Sequence, residues 1–470
     1  MPPNVLLIVL DTARADVFEP YGAPPGASPT VGQLASRGAA LTAYSTANWT
    51  VPSHASMFTG VLPRDLGLTQ VAGGDRTRCR APLSASAGTN LVKKLQDAGW
   101  ATRGVSANPW ISTDSGFGVG FDELLSVVSP RRPRMHDASL RGRLRWALDG
   151  MLARADHGAQ QVEQVIDGWI AEVDADRPFF WFVNLLECHS PYLPPLPYND
   201  LPPWRRAQVA EEARQFLNLD SVFRVCAGNM TVPAPALARM GHLYRRAITL
   251  MDDWLARVLT ALDRARLLDD TQVIITSDHG ENLGESGLIG HAFSLDERLL
   301  RIPFVTAGPL DLRDTAPLSL AGVPRRLADA LGLADHPWQE QTDDVIVAQH
   351  DGVTTPDSPQ MQDAARRWGL SADSVHRLSR SLTTATDTRW KLLVEHDGWE
   401  QVFDLGTDPL EQRPLPVDAA PAETVARLRK AVDAALTGVE PAPTDAEVGP
   451  PAEDTDVAAL EEQMRLLGYL

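Results

Sequence analysis

Cysteine is scarce in this 470-residue chain: Cys79, Cys188 and Cys226 are the only three. They lie far apart and form no CxxC pair, so neither a cysteine metal site nor a disulfide framework is expected, and reduced thiols in a cytoplasmic protein fit best. Long apolar runs are missing too. A membrane-spanning helix needs about 18 consecutive apolar residues, and no stretch supplies them, so no membrane span is expected. The opening run Val5 to Leu10 has no basic residue before it and stops at Asp11, which reads as a first strand and not as a signal peptide. Positive charge is in deficit: 43 Lys and Arg against 61 Asp and Glu give a formal charge of −18. That excess argues against nucleic-acid or anionic-membrane partners, while a local pocket for a small anion stays open. Internal repeats are absent. The oligomeric state has no signature in the sequence.

What is present alternates. Apolar, β-branched runs at Asn4 to Leu10, Ala101 to Ser106, Phe179 to Leu186, Gln272 to Ile275 and Ile302 to Thr306 read as strands. Helical spacing separates them, at Val31 to Gly38, Thr89 to Ala98, Ala159 to Val173 and, longest, Leu237 to Leu268. The expected fold is therefore α/β, an open and mainly parallel sheet with helices on both faces. A short strand is expected at Val345 to Ala348. From Leu382 the pattern changes to three short strand-like pieces, with a turn at Asp397-Gly398, which suggests a small antiparallel subdomain. The expected divisions are 1–375 for the α/β domain, 376–415 for the antiparallel subdomain and 416–470 for a helix, an acidic proline-rich tether and a terminal helix.

Four strands end in groups that can do chemistry: Asp11, Asn108, Glu187 with His189, and Asp278 with His279. Ligands of open α/β sheets bind beyond the carboxyl ends of strands, so residues remote in sequence can converge there. Asp278 and His279 open TSDHGENLGESGLIGH, whose glycines let the loop fold back to bring His291 to the same edge. Thr50 precedes Pro52, a residue suited to the first turn of a helix, and Gly60 suits its end. At such an N-terminus Thr50 is either an ordinary cap or an activated hydroxyl stabilised by the helix dipole, and Ser53 is a nearby alternative. The arginines between Arg131 and Arg145 read as a solvated face more readily than as a substrate pocket.

These segments together resemble a sulfatase-like member of the alkaline phosphatase superfamily. NVLLIVLDTARAD resembles the first strand and metal aspartate of that family, TSDHGENLGE its second metal motif, and NLLECHSPY the segment that supplies a substrate-contacting histidine. LLRIPFV resembles the strand that follows, and GWEQVFDLGTDPLEQ the C-terminal subdomain. The departures matter as much. Where sulfatases carry Cys or Ser in C/S-x-P-x-R, to be oxidised to formylglycine, this chain has Thr50-Val51-Pro52-Ser53-His54. Thr12 replaces a second metal aspartate, and His279 stands where asparagine is usual. The family's lysine-histidine segment after the nucleophile has no clear match.

The resemblance then implies a metal-bound threonine nucleophile, as in phosphoethanolamine transferases and nucleotide phosphodiesterases, and no formylglycine. Asp11, Thr50, Asp278, His279 and His291 are the implied metal ligands. Thr50, His189 and His291 are the implied catalytic groups, and His54, Asn108 and His189 the implied substrate contacts. One or two divalent ions are implied, Zn²⁺ or Mn²⁺ over Ca²⁺ because nitrogen joins the carboxylates. The expected activity is hydrolysis of a phosphate ester or phosphonate on a small anionic substrate. Sulfate ester hydrolysis, group transfer and non-catalytic anion binding are the alternatives.

Overall fold

The computed structural model describes residues 2–437 apart from 72–73, 130–139, 155, 314–316, 343 and 353. In chain order the strands are β1 (Asn4–Leu10), β2 (Ala39–Tyr44), β3 (Ala101–Ser106), β4 (Glu123–Ser126), β5 (Phe179–Leu185) and β6 (Thr271–Thr276). A hairpin of β7 (Asn282–Leu283) and β8 (Ile289–Gly290) follows, then β9 (Arg301–Ala307) and β10 (Leu318–Ser319). Last come β11 (Ile346–His350), β12 (Leu382–Thr386), β13 (Trp390–Glu395) and β14 (Glu400–Asp404).

Eight strands form one sheet in the order β10-β2-β9-β6-β1-β5-β3-β4. The centre, β6-β1-β5-β3, is wholly parallel. Every residue of β5 and β6 is buried, as expected for apolar-centred strands covered by helices on both faces. The helices Ala159–Ala171 and Ala234–Arg264 pack on each other through Trp254, whose Nε1 donates to the Ala159 carbonyl at 2.9 Å. The long helix is amphipathic, and no helix among the described residues is long and apolar enough to cross a membrane.

The sheet is mixed at one place, and the reason is local. After β6 the chain loops at the carboxyl edge and re-enters the sheet at β9 from that same edge, with no crossover helix, so β9 runs antiparallel to β6. β2 is antiparallel to β9 in turn, and so runs in the same sense as β6. The sequence reading omitted β2. It matters because its carboxyl end joins the edge where β1, β3, β5 and β6 finish, and Thr50 follows six residues later.

β11 to β14 make a four-stranded antiparallel sheet, which takes in Ile346–His350 as well as the three strands after Leu382. The helix Ala422–Leu436 covers it with Val425, Leu428 and Val432. Of the arginines singled out in the sequence, Arg141, Arg143 and Arg145 are exposed on the helix Leu140–Leu152, and Arg131, Arg132 and Arg134 lie outside the described residues. The tether expected at 440–455 and the helix expected at 457–467 also lie outside them.

A buried charge joins the two sheets. Lys391 of β13 is about 1 % exposed, and its Nζ lies 3.2 Å from Glu297 Oε1 and 2.5 Å from Glu411 Oε1 and donates to the Leu295 carbonyl at 2.6 Å. Glu297 opens the short helix that leads into β9. Removing one member of a buried ion cluster leaves uncompensated charge, at a cost of roughly 3–5 kcal/mol. Lys391→Met is therefore expected to lower the denaturation midpoint markedly, and adding Glu297→Gln with Glu411→Gln to recover part of the loss. Equilibrium unfolding of the three chains checks this.

Candidate active site

Asp11 sits one residue beyond β1, with its backbone N–H donating to the Leu185 carbonyl at the end of β5. Asp278 sits two residues beyond β6. Its Oδ1 accepts from the backbone N–H groups of Thr12 at 3.1 Å and of His279 at 2.9 Å. Thr12 thus contributes its backbone where the related motif has a carboxylate, and its hydroxyl donates to the Asp11 carbonyl at 2.7 Å. The cost is visible in its backbone: Thr12 is β-branched, yet sits at φ 61°, in the left-handed region.

Asp11, Asp278 and His279 are wholly buried, and each offers a ligand atom within 4.8 Å of the others'. The tautomer of His279 follows from its neighbour. Its Nδ1 faces the Gly280 carbonyl at 2.9 Å, which can only accept, so Nδ1 carries the proton and Nε2 presents a lone pair. That lone pair lies 3.4 Å from Asp278 Oδ2, another acceptor. Neither atom has a hydrogen-bond partner, and neither does the buried Asp11 Oδ1. Two carboxylate oxygens and an imidazole nitrogen facing one another without a donor are the arrangement that a cation satisfies, and an imidazole locked by a backbone carbonyl is the usual second support of a metal ligand.

The protonation tendencies agree. Burial first, then the Asp278 charge, drives the Asp11 carboxyl well above its usual range, and burial lifts Asp278 to about 6. Burial and then His291 hold His279 well below the ordinary imidazole value. Charge of one sign is crowded here, and the neighbouring donors offset it only in part.

The remaining candidates gather around this cluster. Asn108, beyond β3, donates through Nδ2 to Asp11 Oδ2 at 2.7 Å and to Thr50 Oγ1 at a long 3.4 Å. Thr50 is the first residue of the helix Thr50–Thr59, and the cap position belongs to Trp49. The Thr50 hydroxyl is thus turned to Asn108 and not spent on capping. Ser53 is committed elsewhere: buried, it donates to the Trp49 carbonyl at 2.8 Å and lies 2.9 Å from Ser45 Oγ.

The loop from β6 does return. Gly284, Gly287 and Gly290 adopt positive φ around the β7–β8 hairpin, and a Cβ on Gly280 would meet the Arg298 carbonyl oxygen at 1.9 Å. His291 arrives with its ring centroid 4.5 Å from that of His279 and 5.3 Å from that of His189. Glu281, which the sequence reading passed over, holds it: Glu281 Oε1 lies 3.2 Å from His291 Nδ1, both residues buried. Its signal was its place in the same glycine-rich loop, between the two histidines. Asn48 was also missed; its Nδ2 donates to the His291 carbonyl at 2.9 Å, tying the Thr50 loop to the His291 loop.

Two residues take other surroundings. His54 is sealed inside its helix. Its Nδ1 donates to the Thr50 carbonyl at 3.0 Å, and Phe58, Phe117 and Phe182 surround the ring. Burial lowers its pKa to about 4, so it is neutral where the related motif has arginine, 3.6 Å from Asp278 Oδ2. Glu187 turns from the site and accepts from the backbone N–H groups of Ala159 at 2.9 Å and of His157 at 3.4 Å, at the start of the helix Ala159–Ala171. A second group, His376, Glu395 and Asp397, has metal-like spacing, but it is mostly exposed and Glu395 is bonded to Arg380 at 2.7 Å.

Residues 3–332 match the model of the sulfatase family. The chain belongs to that family. A choline-sulfatase of Rhizobium meliloti is 31% identical over 204 residues, 41% of this chain and 37% of that protein. An uncharacterized sulfatase of Escherichia coli is 25% identical over 328 residues, 65% of this chain and 63% of that one. The chain thus spans less than two thirds of the length of these curated relatives. Among solved structures, the phosphonate monoester hydrolase of Agrobacterium radiobacter superposes with a TM-score of 0.58 at 20% identity, over 92% of this chain and 95% of that one, a likeness of fold.

Protein purified without chelator is expected to hold transition metal in stoichiometric amount, and Asp278→Asn to lose most of it; elemental analysis of the two preparations checks this. Glu281→Gln keeps a hydrogen bond to His291 but removes the charge, and is expected to lower kcat by at least about tenfold with metal content retained.

Proposed function

We propose that this sulfatase-family chain is a metal-dependent hydrolase of phosphate esters or phosphonates, with Thr50 as nucleophile. The observation that carries the reading is the Thr50 hydroxyl, off capping duty and sharing the Asn108 amide with Asp11, beside three buried acceptors that lack a donor. Asp11, Asp278 and His279 would hold the first ion, with Thr50 and His291 adjoining. Zn²⁺ or Mn²⁺ suits this mixed oxygen and nitrogen set better than Ca²⁺. Such an ion supplies charge that lowers the pKa of a nearby hydroxyl and neutralises the transferring group.

The chain's own groups do the rest. Thr50 Oγ attacks phosphorus in line, its bond to phosphorus forming as the bond to the leaving oxygen breaks. The first turn of the helix Thr50–Thr59 points its positive end at the transferring oxygens. Asn108 orients Thr50 through Nδ2. His189 and His291 are the groups to contact the substrate anion and protonate the leaving oxygen, with Glu281 fixing the His291 ring. Water then hydrolyses the threonyl ester.

Sulfate ester hydrolysis is the second reading, supported by the activity named for the Rhizobium relative. It does not need formylglycine here, since Thr50 has no route to that aldehyde and Ser53 is enclosed. Mass spectrometry of the peptide containing residues 50 and 53 is expected to find both unmodified; an aldehyde at Ser53 would return the chain to the formylglycine chemistry.

Thr50→Ala separates catalysis from anion binding. Turnover of the best aryl phosphate, phosphonate or sulfate is expected to fall by several orders of magnitude with metal content nearly unchanged, while Thr50→Ser keeps part of the rate. Near-wild-type turnover in the alanine chain would exclude a covalent threonyl intermediate.

A further inference from the structure

The β7–β8 hairpin that delivers His291 pairs only two residues on each strand, Asn282 with Gly290 and Leu283 with Ile289. So short a ladder is marginal by itself and needs support from outside. Arg298 Nη2 donates to Ser286 Oγ at 3.1 Å and Arg377 Nη2 to the Ser286 carbonyl at 3.3 Å, but these hold only the tip. The support nearer the site is Arg14, buried and three residues beyond Asp11. Its Nη1 donates to Glu285 Oε1 at 2.7 Å and, more weakly, to the Glu281 carbonyl at 3.3 Å. Glu285 Oε2 accepts in turn from the Leu283 backbone N–H at 2.6 Å. One guanidinium therefore ties both ends of β7.

Arg14 is itself held from three directions. Its Nε and Nη2 donate to the two oxygens of Asp16 at 2.9 and 2.6 Å. Its backbone N–H donates to Tyr244 Oη at 3.0 Å, and Tyr244, in the helix Ala234–Arg264, donates to the Thr12 carbonyl at 2.7 Å. Its stem lies against Gly280, where a Cβ would meet Arg14 Cγ at 3.1 Å. Burial works against the Glu285 charge, yet Arg14 holds that carboxyl below its ordinary value, so the pair is ionised. Four of the five guanidinium N–H groups are engaged within the chain, which places Arg14 to act through the hairpin and not on a substrate. Glu281 and His291 flank the hairpin at its base, one before β7 and one after β8, and their 3.2 Å contact closes it.

Building on the ester-hydrolase reading, we propose that Arg14, with Glu285, is a positioning residue of that reaction: it clamps the hairpin to the loop behind Asp11 and so keeps His291 at the leaving oxygen. The ion pair spans 271 positions and joins the loop after β1 to the loop after β6, so the first carboxylate and the returning histidine keep one spacing.

The test compares p-nitrophenyl with phenyl esters, as phosphates and as sulfates, in wild type, Arg14→Met, Glu285→Gln, the double variant and His291→Asn. A good leaving group needs little help at its oxygen and a poor one needs much, so the kcat/KM ratio of p-nitrophenyl over phenyl ester reports on His291. The ratio is expected to rise at least about tenfold in His291→Asn and in Arg14→Met. It rises in the same direction in Glu285→Gln, and no further in the double variant than in Arg14→Met, because the two side chains act as one unit. Loss of folded protein lowers both rates alike and leaves the ratio where it was. A ratio unchanged in Arg14→Met, or in Glu285→Gln should Arg14→Met not fold, overturns the proposal. If no ester is turned over, or His291→Asn leaves the ratio unchanged, the hydrolase reading or the role of His291 fails by itself. The clamp is then read by hydrogen exchange: uptake that rises in the peptide covering 281–291 of the two single variants, and not across the sheet, upholds it, and uptake equal to wild type removes it.

Discussion

Two carboxylates and a lone-pair nitrogen face each other at the carboxyl edge of the sheet with no donor among them, and much of the molecule answers to that arrangement. Asp11 and Asp278 come from neighbouring parallel strands, so the sheet itself sets their separation. Both carboxylates are buried, and their charges repel. Thr12 accepts an unfavourable backbone conformation to donate its N–H to Asp278, and Asn108 donates to Asp11. These donors reduce the repulsion without ending it, since one oxygen of each carboxylate stays unmatched.

The same edge explains why the sheet departs from parallel. The loop that brings His291 beside His279 must leave and return at one edge, and a strand entering there can pair only antiparallel. β9 is therefore the topological price of closing the site, and β2 then falls into line with β6 and delivers Thr50.

Much of this was legible in the sequence because it was written in periodicity and punctuation. Apolar runs stopping at Asp11, Asn108 and Asp278 disclosed both the strands and their chemically active ends, and the glycines after His279 disclosed the returning loop. β2 was harder: Ala39 to Tyr44 is short and small-residued, and only its pairing with β9 makes it a strand. Asn48 acts through a contact 243 positions away that no local pattern reports, whereas Glu281, ten positions from His291, was marked only by its place in the returning loop. Glu187 shows the converse. It ends the same strand as His189, but the N–H groups of His157 and Ala159 at a helix start hold its carboxylate away from the site.

The bond from the Thr12 N–H to Asp278 spans 266 positions. Contacts so distant close late, after the intervening strands and helices have found their order. A chain emerging during synthesis therefore has no high-affinity place for an ion until residues well past Asp278 have been made and β6 has docked against β1. On the proposed reading, an ion held by Asp11, Asp278 and His279 would be captured only after β1 and β6 have paired, and by mass action would then stabilise that paired state.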